Sequence, residues 1–133
     1  MESQSKSLHF LIIDDDSVFL FLAKKTLEKV TGDTLIATFK NPTDALLHIE
    51  QNPPADPNTH TYILLDIHMP IMNGFEFLDK LKNILTAENL KNVTIIIVTV
   101  SLDENDLNKL RDHYLVKGLL AKPIDIEGIK KFL

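Results

Sequence analysis

The stretch of sequence that decides the fold reads Leu8-His9-Phe10-Leu11-Ile12-Ile13-Asp14-Asp15-Asp16. Its first six residues are almost continuously apolar rather than alternating, which is typical of a strand covered on both faces in a parallel sheet. Similar runs occur at residues 62–65 and 94–98, and weaker ones at residues 35–39 and 116–120. The sequence therefore predicts five short strands.

Helical patterns separate these runs. Apolar residues at helical spacing occupy residues 19–30, 45–49, 75–85, 107–114 and 126–132. Pro42 suits a first turn, Ser101 or Asp103 suits an N-cap, and the last helix is expected over residues 125–133. A polar extension without a helix is expected over residues 86–92. Alternating strands and helices predict an α/β domain of the three-layer doubly wound (flavodoxin-like) type, with a five-stranded parallel sheet and five helices.

Composition narrows the classes of protein further. A chain of 133 residues, 44% hydrophobic and 25% charged, predicts one domain over residues 8–133 after a disordered N-terminal tail at residues 1–7. The absence of cysteine excludes disulfides, thiolate nucleophiles and thiolate metal sites. A net charge of -5 argues against direct contact with nucleic acid. The apolar runs are far below the roughly 18 residues of a membrane span, and no signal-peptide core follows the start, so we expect a cytoplasmic protein without membrane contact.

Polar residues follow four of the predicted strands. Asp14 and Asp15 come after the first, Asp66 after the third, Thr99 after the fourth and Lys122 after the fifth. The carboxyl ends of strands in a doubly wound sheet lie at one edge, so these side chains are expected to converge. Close carboxylates repel by about 4 kcal/mol per pair at an effective dielectric near 20 unless a cation lies between them, and all-oxygen ligands favour Mg²⁺. With an ammonium and a hydroxyl, the site suits a transferring phosphoryl group and an aspartate nucleophile.

Each of these residues also has a simpler structural interpretation. Asp15, Asp16 or Ser17 could be an N-cap of the first helix. Asp66 could be a turn residue, and Lys122 a solvated surface lysine. It is their joint position at the strand ends of one fold that favours a functional site.

Four motifs resemble those of the receiver domain of two-component response regulators. They are residues 12–16, ending in Asp14-Asp15-Asp16; residues 64–74, centred on Asp66-Ile67-His68-Met69-Pro70; Ile97-Val98-Thr99; and Lys122-Pro123. The resemblance covers nearly the whole chain. It implies a bacterial phosphorelay protein that is not an enzyme acting on a separate substrate and that catalyses only its own aspartyl phosphorylation and dephosphorylation.

The resemblance also implies a role for each site residue. Asp66 is the phosphoacceptor and takes its phosphoryl group from a sensor histidine kinase or a histidine phosphotransfer protein. Thr99 and Lys122 contact the phosphoryl oxygens. The implied protein ligands of Mg²⁺ are Asp14, Asp15, Asp66 and the backbone carbonyl of His68. Movement of Thr99 is expected to switch a face made by the fourth helix, fifth strand and fifth helix, which contacts a downstream protein or effector domain or forms a homodimer.

Several residues depart from the family pattern or add to it. Leu119 stands three residues before Lys122, where the family usually has Tyr or Phe, which weakens the expectation of an aromatic switch. Val100 occupies a position usually held by a small residue, which predicts slower phosphotransfer. His68 and Ser101 flank the site and are candidates for tuning the lifetime of the phosphoryl group, although both also fit exposed loop residues without effect.

Helix one offers a candidate docking patch. Leu20 and Phe21 are expected to point away from a core stripe that includes Phe19 and Leu22. Exposed apolar residues beside a phosphorylation site would suit a kinase or a phosphotransfer helical bundle.

Two rival functions fit parts of the sequence. Asp14-Asp15-Asp16-Ser17-Val18 also resembles the nucleophile loop of haloacid-dehalogenase-type phosphatases, in which case Asp14 would be the nucleophile. That alternative needs another acidic pair on a later strand and leaves the motif around Asp66 unexplained. The second rival is a receiver-like interaction module that is not phosphorylated, which the departures at Val100 and Leu119 keep open.

Overall fold

The computed structural model describes residues 6–30, 34–100 and 103–133. Strands and helices alternate along the chain, with one additional short helix before the fourth strand. The strands are β1 Ser7–Ile13, β2 Thr34–Phe39, β3 Thr59–Leu65, β4 Val93–Thr99 and β5 Val116–Ala121. The helices are α1 Ser17–Leu27, α2 Pro42–Gln51, α3 Gly74–Ile84, α4 Ala87–Leu90, α5 Glu104–Asp112 and α6 Ile126–Lys130. None of these helices combines the length and the apolar character that a membrane span requires.

The five strands form one parallel sheet in the order β2-β1-β3-β4-β5. Ile13 at the end of β1 pairs with Phe39 on one side and with Leu65 on the other. The strand order thus reverses beside β1, which creates the switch point where doubly wound folds place their sites. The predicted α/β fold with five parallel strands is confirmed.

Alternate residues of each strand enter two separate cores, because successive side chains point to opposite faces of a sheet. Leu11 and Ile13 of β1 pack in the core beneath helices α2, α3 and α5. Phe10 and Ile12 pack in the core beneath α1 and α6. The sheet is therefore the middle of three layers and is covered on both faces, as its continuous apolar runs predict.

The boundaries of two strands differ from the prediction. β1 begins at Ser7, inside the expected N-terminal tail, and residues 1–5 of that tail lie outside the described residues. β3 begins at Thr59, three residues before the apolar run, because Thr59 pairs with Ser7 and His60 with Leu8. Backbone pairing needs no apolar side chain, so the polar start of β3 is invisible to an apolar pattern.

The helix count and helix ends also differ. The expected polar extension contains the single-turn helix α4, which begins with a reciprocal capping box between Thr86 and Asn89. The predicted fourth and fifth helices are therefore α5 and α6. Asp103 is the N-cap of α5 and Asp125 that of α6, while Ser101, the alternative cap, lies outside the described residues. α5 ends at Asp112.

The prediction of which helical residues face the core is wrong at three positions. Leu20 is buried, whereas Leu22 is 51% exposed; Phe21 is exposed as expected. Leucines at both 20 and 22 fit a helical stripe, and the stripe that packs includes Leu20, Ala23 and Leu27, spaced by three and four residues. Tyr114 lies beyond the end of α5 and is exposed, so the apolar pattern there overran the helix.

Candidate functional site

Backbone hydrogen bonds fix the positions of the main site residues. Three of them continue the pairing of neighbouring strands past the point where each strand ends. They are donated by Asp14 N–H to the Phe39 carbonyl (3.0 Å), by Asp66 N–H to the Ile13 carbonyl (3.0 Å) and by Lys122 N–H to the Thr99 carbonyl (2.9 Å). The predicted convergence of residues from the strand ends thus follows from the sheet itself.

The ammonium group of Lys122 lies between two carboxylates. It forms a close ion pair with Oδ2 of Asp14 and lies 3.5 Å from Oδ2 of Asp66. Its third neighbour is the ring of Phe19, whose centroid is 4.4 Å away. Sequence reasoning placed Phe19 only in the core of α1; an aromatic residue one helical turn after the acidic loop was the available signal.

Burial strongly affects the charges of this cluster. Asp14 is 1% exposed, and burial raises the pKa of its carboxyl group although the Lys122 ammonium opposes the shift. Burial alone would lower the pKa of Lys122, but its hydrogen bond and charge interaction with Asp14, together with the charge of Asp66, raise it. Lys122 is therefore held as a cation, while the carboxylates around it favour additional positive charge.

The acidic residues are arranged in a way that fits a bound cation. One carboxylate oxygen from each of Asp14, Asp15 and Asp66 lies within 4.8 Å of the others. Oδ2 of Asp14 is buried and is in close contact with the Lys122 ammonium. The oxygen-only donor set of three carboxylates fits Mg²⁺, which prefers carboxylate oxygens and water.

Asp16 has a different role from its two acidic neighbours. Its Oδ1 accepts hydrogen bonds from the backbone N–H groups of Val18 (3.0 Å) and Phe19 (3.3 Å), so Asp16 is the N-cap of α1. The N–H of Asp16 in turn donates to Oδ1 of Asp14 (2.9 Å). The third aspartate thus starts the helix that carries Phe19 and orients the buried carboxylate of Asp14.

The connection from β3 to α3 is held tightly against the site. The N–H of His68 donates to Oδ1 of Asp66 (3.1 Å), while the His68 side chain is exposed. Gly74 N–H donates to the Ile67 carbonyl (2.9 Å), and a Cβ atom on Gly74 would lie 2.7 Å from the Ile67 Cα. Glycine is therefore required at this position by close backbone approach, a reason beyond the turn chemistry that the sequence indicates.

The remaining predicted residues lie around the same edge of the sheet. Thr99 is buried at the end of β4, and Val100 beside it is 75% exposed. Leu119 is half-buried and packs against the core beneath α5. Ser101, expected to flank the site, lies outside the described residues.

Exposed apolar side chains lie on the segments that follow the ends of β1, β3 and β4. This apolar rim consists of Val18, Phe21 and Leu22 of α1, Ile71 of the loop after β3, and Val100. The predicted docking patch is thus corrected: Leu20 belongs to the core, and Leu22 takes its place on the surface beside Phe21. Val18 and Ile71 had no distinct signal in the sequence, because each adjoins other apolar residues, Phe19 and Met72, and nothing in the pattern marks them as exposed.

Comparison with known proteins identifies the family of this domain. The family model of the response regulator receiver domain matches residues 10–133. A probable C4-dicarboxylate response regulator, DctR, from Halalkalibacterium halodurans is 28% identical over 95% of this chain and 50% of its own length. The two-component response regulator ARR17 of Arabidopsis thaliana is 26% identical over 98% of this chain and 86% of its own length. The matched region thus spans most of one relative and only half of the other.

A solved structure extends the likeness to three dimensions. The response regulator receiver protein from Dyadobacter fermentans superposes with a TM-score of 0.83 at 28% identity, covering 96% of this chain and 95% of that one. The region matched by the family model contains Asp14, Asp15, Asp66 and Lys122, which the structure brings together at one edge of the sheet. The chain belongs to the response regulator receiver domain family of two-component signalling.

Proposed function

We propose that this receiver domain accepts a phosphoryl group on Asp66 from a phosphohistidine of a histidine kinase or a phosphotransfer protein. The observation that carries the proposal is the contact of one ammonium group, that of Lys122, with the carboxylates of both Asp14 and Asp66. A partly buried cation beside a reactive carboxylate is suited to a phosphoryl group, which brings about two negative charges into the cleft.

In the proposed transfer, a carboxylate oxygen of Asp66 bonds to phosphorus while the phosphorus–nitrogen bond of the phosphohistidine breaks and the imidazole leaves. The His68 N–H orients the Asp66 carboxylate by holding Oδ1. The ammonium of Lys122 is close enough to exchange a carboxylate contact for a phosphoryl oxygen as negative charge develops there. The Thr99 hydroxyl donates a hydrogen bond to a second phosphoryl oxygen. Hydrolysis reverses the modification when a water oxygen attacks phosphorus and releases inorganic phosphate and the Asp66 carboxylate.

The acidic cluster is proposed to hold Mg²⁺ through Asp14, Asp15, Asp66 and the backbone carbonyl of His68. When bound, Mg²⁺ supplies charge neutralisation for the phosphoryl oxygens. The carboxylates alone disfavour the approach of an anionic donor, because like charges repel strongly in a partly buried cleft. The donor should therefore react slowly with the protein in the absence of a divalent cation.

The apolar rim is the proposed docking site for the phosphohistidine partner. Phe21 and Leu22 lie on the exposed side of α1, and Ile71 and Val100 lie on the loops beyond the strand ends. Apolar side chains grouped around a reactive centre favour a protein partner over a free small donor. The partner would cover the cleft while its phosphohistidine reaches Asp66.

The proposed output begins at Thr99, the last residue of β4, at the same edge of the sheet as Asp66. Thr99 moves towards the phosphoryl group, and its movement biases a two-state arrangement of the face formed by α5, β5 and α6. That face is proposed to contact a downstream protein or effector domain, or a second copy of this chain. DctR is about twice the length of the region matched here, so what the whole protein does after phosphorylation is part of this proposal.

Bacterial origin and a cytoplasmic location are also proposed. The relatives include a protein of Halalkalibacterium halodurans and one of Arabidopsis thaliana.

The direct test is to incubate the protein with Mg²⁺ and acetyl phosphate and to record intact mass. We expect one added phosphoryl group, which is absent in Asp66→Asn and present in the control Asp79→Asn, since Asp79 is an exposed residue of α3. Survival of the modification in Asp66→Asn would contradict the assignment and favour Asp14 as the nucleophile.

The competing function is an interaction module that is not phosphorylated. It predicts no mass increment with acetyl phosphate and no binding of beryllofluoride, which mimics a phosphoryl group on a carboxylate. Binding of beryllofluoride that depends on Asp66 and Mg²⁺ would exclude this competitor even if acetyl phosphate reacts poorly. If the folded protein neither gains mass with acetyl phosphate nor binds beryllofluoride, the phosphoacceptor proposal is excluded.

A further inference from the structure

A second concave site lies at the amino-terminal ends of the strands, away from Asp66. It is a cavity of about 400 Å³ between the sheet, the end of α2 and the loop of residues 52–58. Its floor includes Leu11, Ala37 and Ile63, from three neighbouring strands. The volume falls in the range of small-molecule sites, roughly 300 to 1,000 Å³, and an apolar floor with a few polar groups is their usual lining.

The polar groups of this cavity occupy positions where a sheet face covered by a helix is normally apolar. His9 and Thr61 are paired neighbours on β1 and β3, and both line the cavity. His48 approaches from α2, with its ring tilted against Phe39 at a centroid distance of 5.3 Å. Thr61 is buried. Imidazole and hydroxyl groups on facing walls can each donate or accept a hydrogen bond to a molecule between them.

The loop that covers the cavity is fixed in place. Three prolines restrict its backbone, at Pro53, Pro54 and Pro57. Both carboxylate oxygens of Asp56 are used inside the loop, by Asn58 N–H (2.9 Å) and the Thr59 hydroxyl (3.2 Å). Further hydrogen bonds tie the loop to the rest of the fold: Ser7 N–H to the Asn58 carbonyl (2.9 Å) and Asn92 Nδ2 to the Pro54 carbonyl (3.2 Å). A preformed wall reduces the entropy lost on binding.

Charge selects the class of ligand. The described lining residues include neither lysine nor arginine, and Asp56, whose oxygens are already engaged, is their one acidic residue. An anion would find no counter-charge, and a cation would find no free carboxylate, so the desolvation of either would be uncompensated. We propose that this cavity binds a small uncharged molecule with an apolar, preferably planar, body and a hydrogen-bonding edge. The proposal does not rest on the phosphorylation of Asp66.

Three probes of the same shape and different charge test this assignment by NMR titration. Benzamide is neutral, benzoate is an anion and benzamidine is a cation. At about pH 8, we expect benzamide to cause saturable shifts of backbone amides in the cavity-lining parts of β1, β2 and β3. Benzoate and benzamidine should bind at least about tenfold more weakly.

Substitutions locate the binding. Ala37→Leu should fill the floor and abolish the benzamide shifts, while Thr61→Val, which keeps the shape of the side chain, should weaken binding by about twofold to tenfold. Thr38→Val is the matched control, because Thr38 is exposed and alternates with Ala37 to the other face of β2. If Ala37→Leu does not fold, the benzamide affinities of Thr61→Val and Thr38→Val still test whether binding occurs in the cavity.

Three results would overturn the proposal. The first is the absence of saturable shifts at millimolar benzamide in the folded protein, which would mean that the cavity holds only solvent. The second is equal binding of the charged analogues. The third is that benzamide shifts the amides of residues outside the cavity, or that Thr61→Val and Thr38→Val change benzamide binding equally. Asp66→Asn should leave benzamide binding unchanged, so failure here and failure of the phosphoacceptor assignment are separate outcomes.

Discussion

The ammonium of Lys122 lies 4.4 Å from the centroid of the Phe19 ring, so one lysine that contacts two carboxylates is also covered by an aromatic face. The ring is supplied by α1 and the lysine by the end of β5, and the two elements join in the core beneath α1 and α6. Phe19 is therefore a positioning residue for Lys122. It excludes water from one side of the ammonium and leaves the side that faces Asp66 available.

Phe19→Leu should slow phosphorylation of Asp66 by acetyl phosphate by about threefold to tenfold, because a desolvated cation–π contact contributes on the order of 1 kcal/mol to the placement of the ammonium. Phe19→Tyr keeps the aromatic face and should restore the rate. Intact-mass time courses measure both variants, with urea unfolding as the check on stability. Equal rates for Leu and Tyr variants of equal stability would show that Phe19 only fills the core.

Asp15→Asn should weaken Mg²⁺ binding by about tenfold or more, because it removes one charged oxygen ligand from the acidic cluster. Isothermal titration calorimetry measures the affinity. The matched control is Asp16→Asn, since asparagine also caps a helix well and the Asp16 side chain contacts the start of α1, while the backbone N–H that Asp16 donates to Asp14 is kept. Similar losses in both variants would mean that the acidic loop attracts Mg²⁺ only by its total charge.

Val100→Ala should speed the reaction of Asp66 with a small phosphoryl donor. Val100 is 75% exposed and directly follows Thr99, so we expect its branched side chain to obstruct the approach of the donor. Val18→Ala is the matched control on the apolar rim, with a similarly exposed side chain at the start of α1. An unchanged rate in Val100→Ala would make the obstruction hypothesis wrong, and an equal gain in both variants would attribute it to general opening of the rim.

Gly74→Ala should destabilise the protein by about 1–3 kcal/mol, because the added Cβ would lie 2.7 Å from the Ile67 Cα and the backbone must move. The movement should also slow phosphorylation, since Ile67 and His68 directly follow Asp66. Urea unfolding measures the first effect and intact mass the second. The control Gly128→Ala meets its nearest atom, Oδ1 of Asp125, at 3.1 Å and should be much less harmful. Equal stability of both variants would refute the close-approach argument.

His60 should make the protein less stable at mildly acidic pH. Its Nε2 lies 2.7 Å from the Thr94 hydroxyl, and burial, with a smaller effect of the Lys6 charge, lowers the pKa of the imidazole below 6.5. The folded state therefore resists protonation more than the unfolded state. The stabilisation is complete above pH 6.5 and is lost as the pH falls towards and through the lowered pKa.

The variant His60→Gln isolates this effect. As the pH is lowered from 8 to 5, the free energy of unfolding of the wild type should fall more than that of His60→Gln, because glutamine does not titrate. His68→Gln, at an exposed position, is the control and should run parallel to wild type. Parallel curves for all three proteins would contradict the prediction.

The sequence predicts the positions of Asp14, Asp66, Thr99 and Lys122 well, for a physical reason. In a parallel sheet, backbone pairing carries each residue that follows a strand to the same edge, so recognising the apolar runs is nearly enough to locate the cluster. The residues that hold their side chains in place follow no such rule. The contact of Phe19 with Lys122 depends on how α1 is rotated about its axis.

That rotation is also why the surface of α1 was predicted incorrectly. Leu20 and Leu22 are chemically equivalent in a helical pattern, and only packing against the sheet buries the first and exposes the second. Gly74 similarly has an ordinary turn signal, while its actual constraint is the distance to the backbone of Ile67. Apolar patterns determine which elements form; the fit between elements determines which side chains reach the site.

The backbone hydrogen bonds at the strand ends separate the location of a functional group from its identity. Asp14, Asp66 and Lys122 are held by main-chain N–H groups that every residue except proline possesses. A different side chain at any of these positions would be delivered to the same place. Single substitutions at this edge of the sheet can therefore change the functional group while the backbone that positions it stays the same.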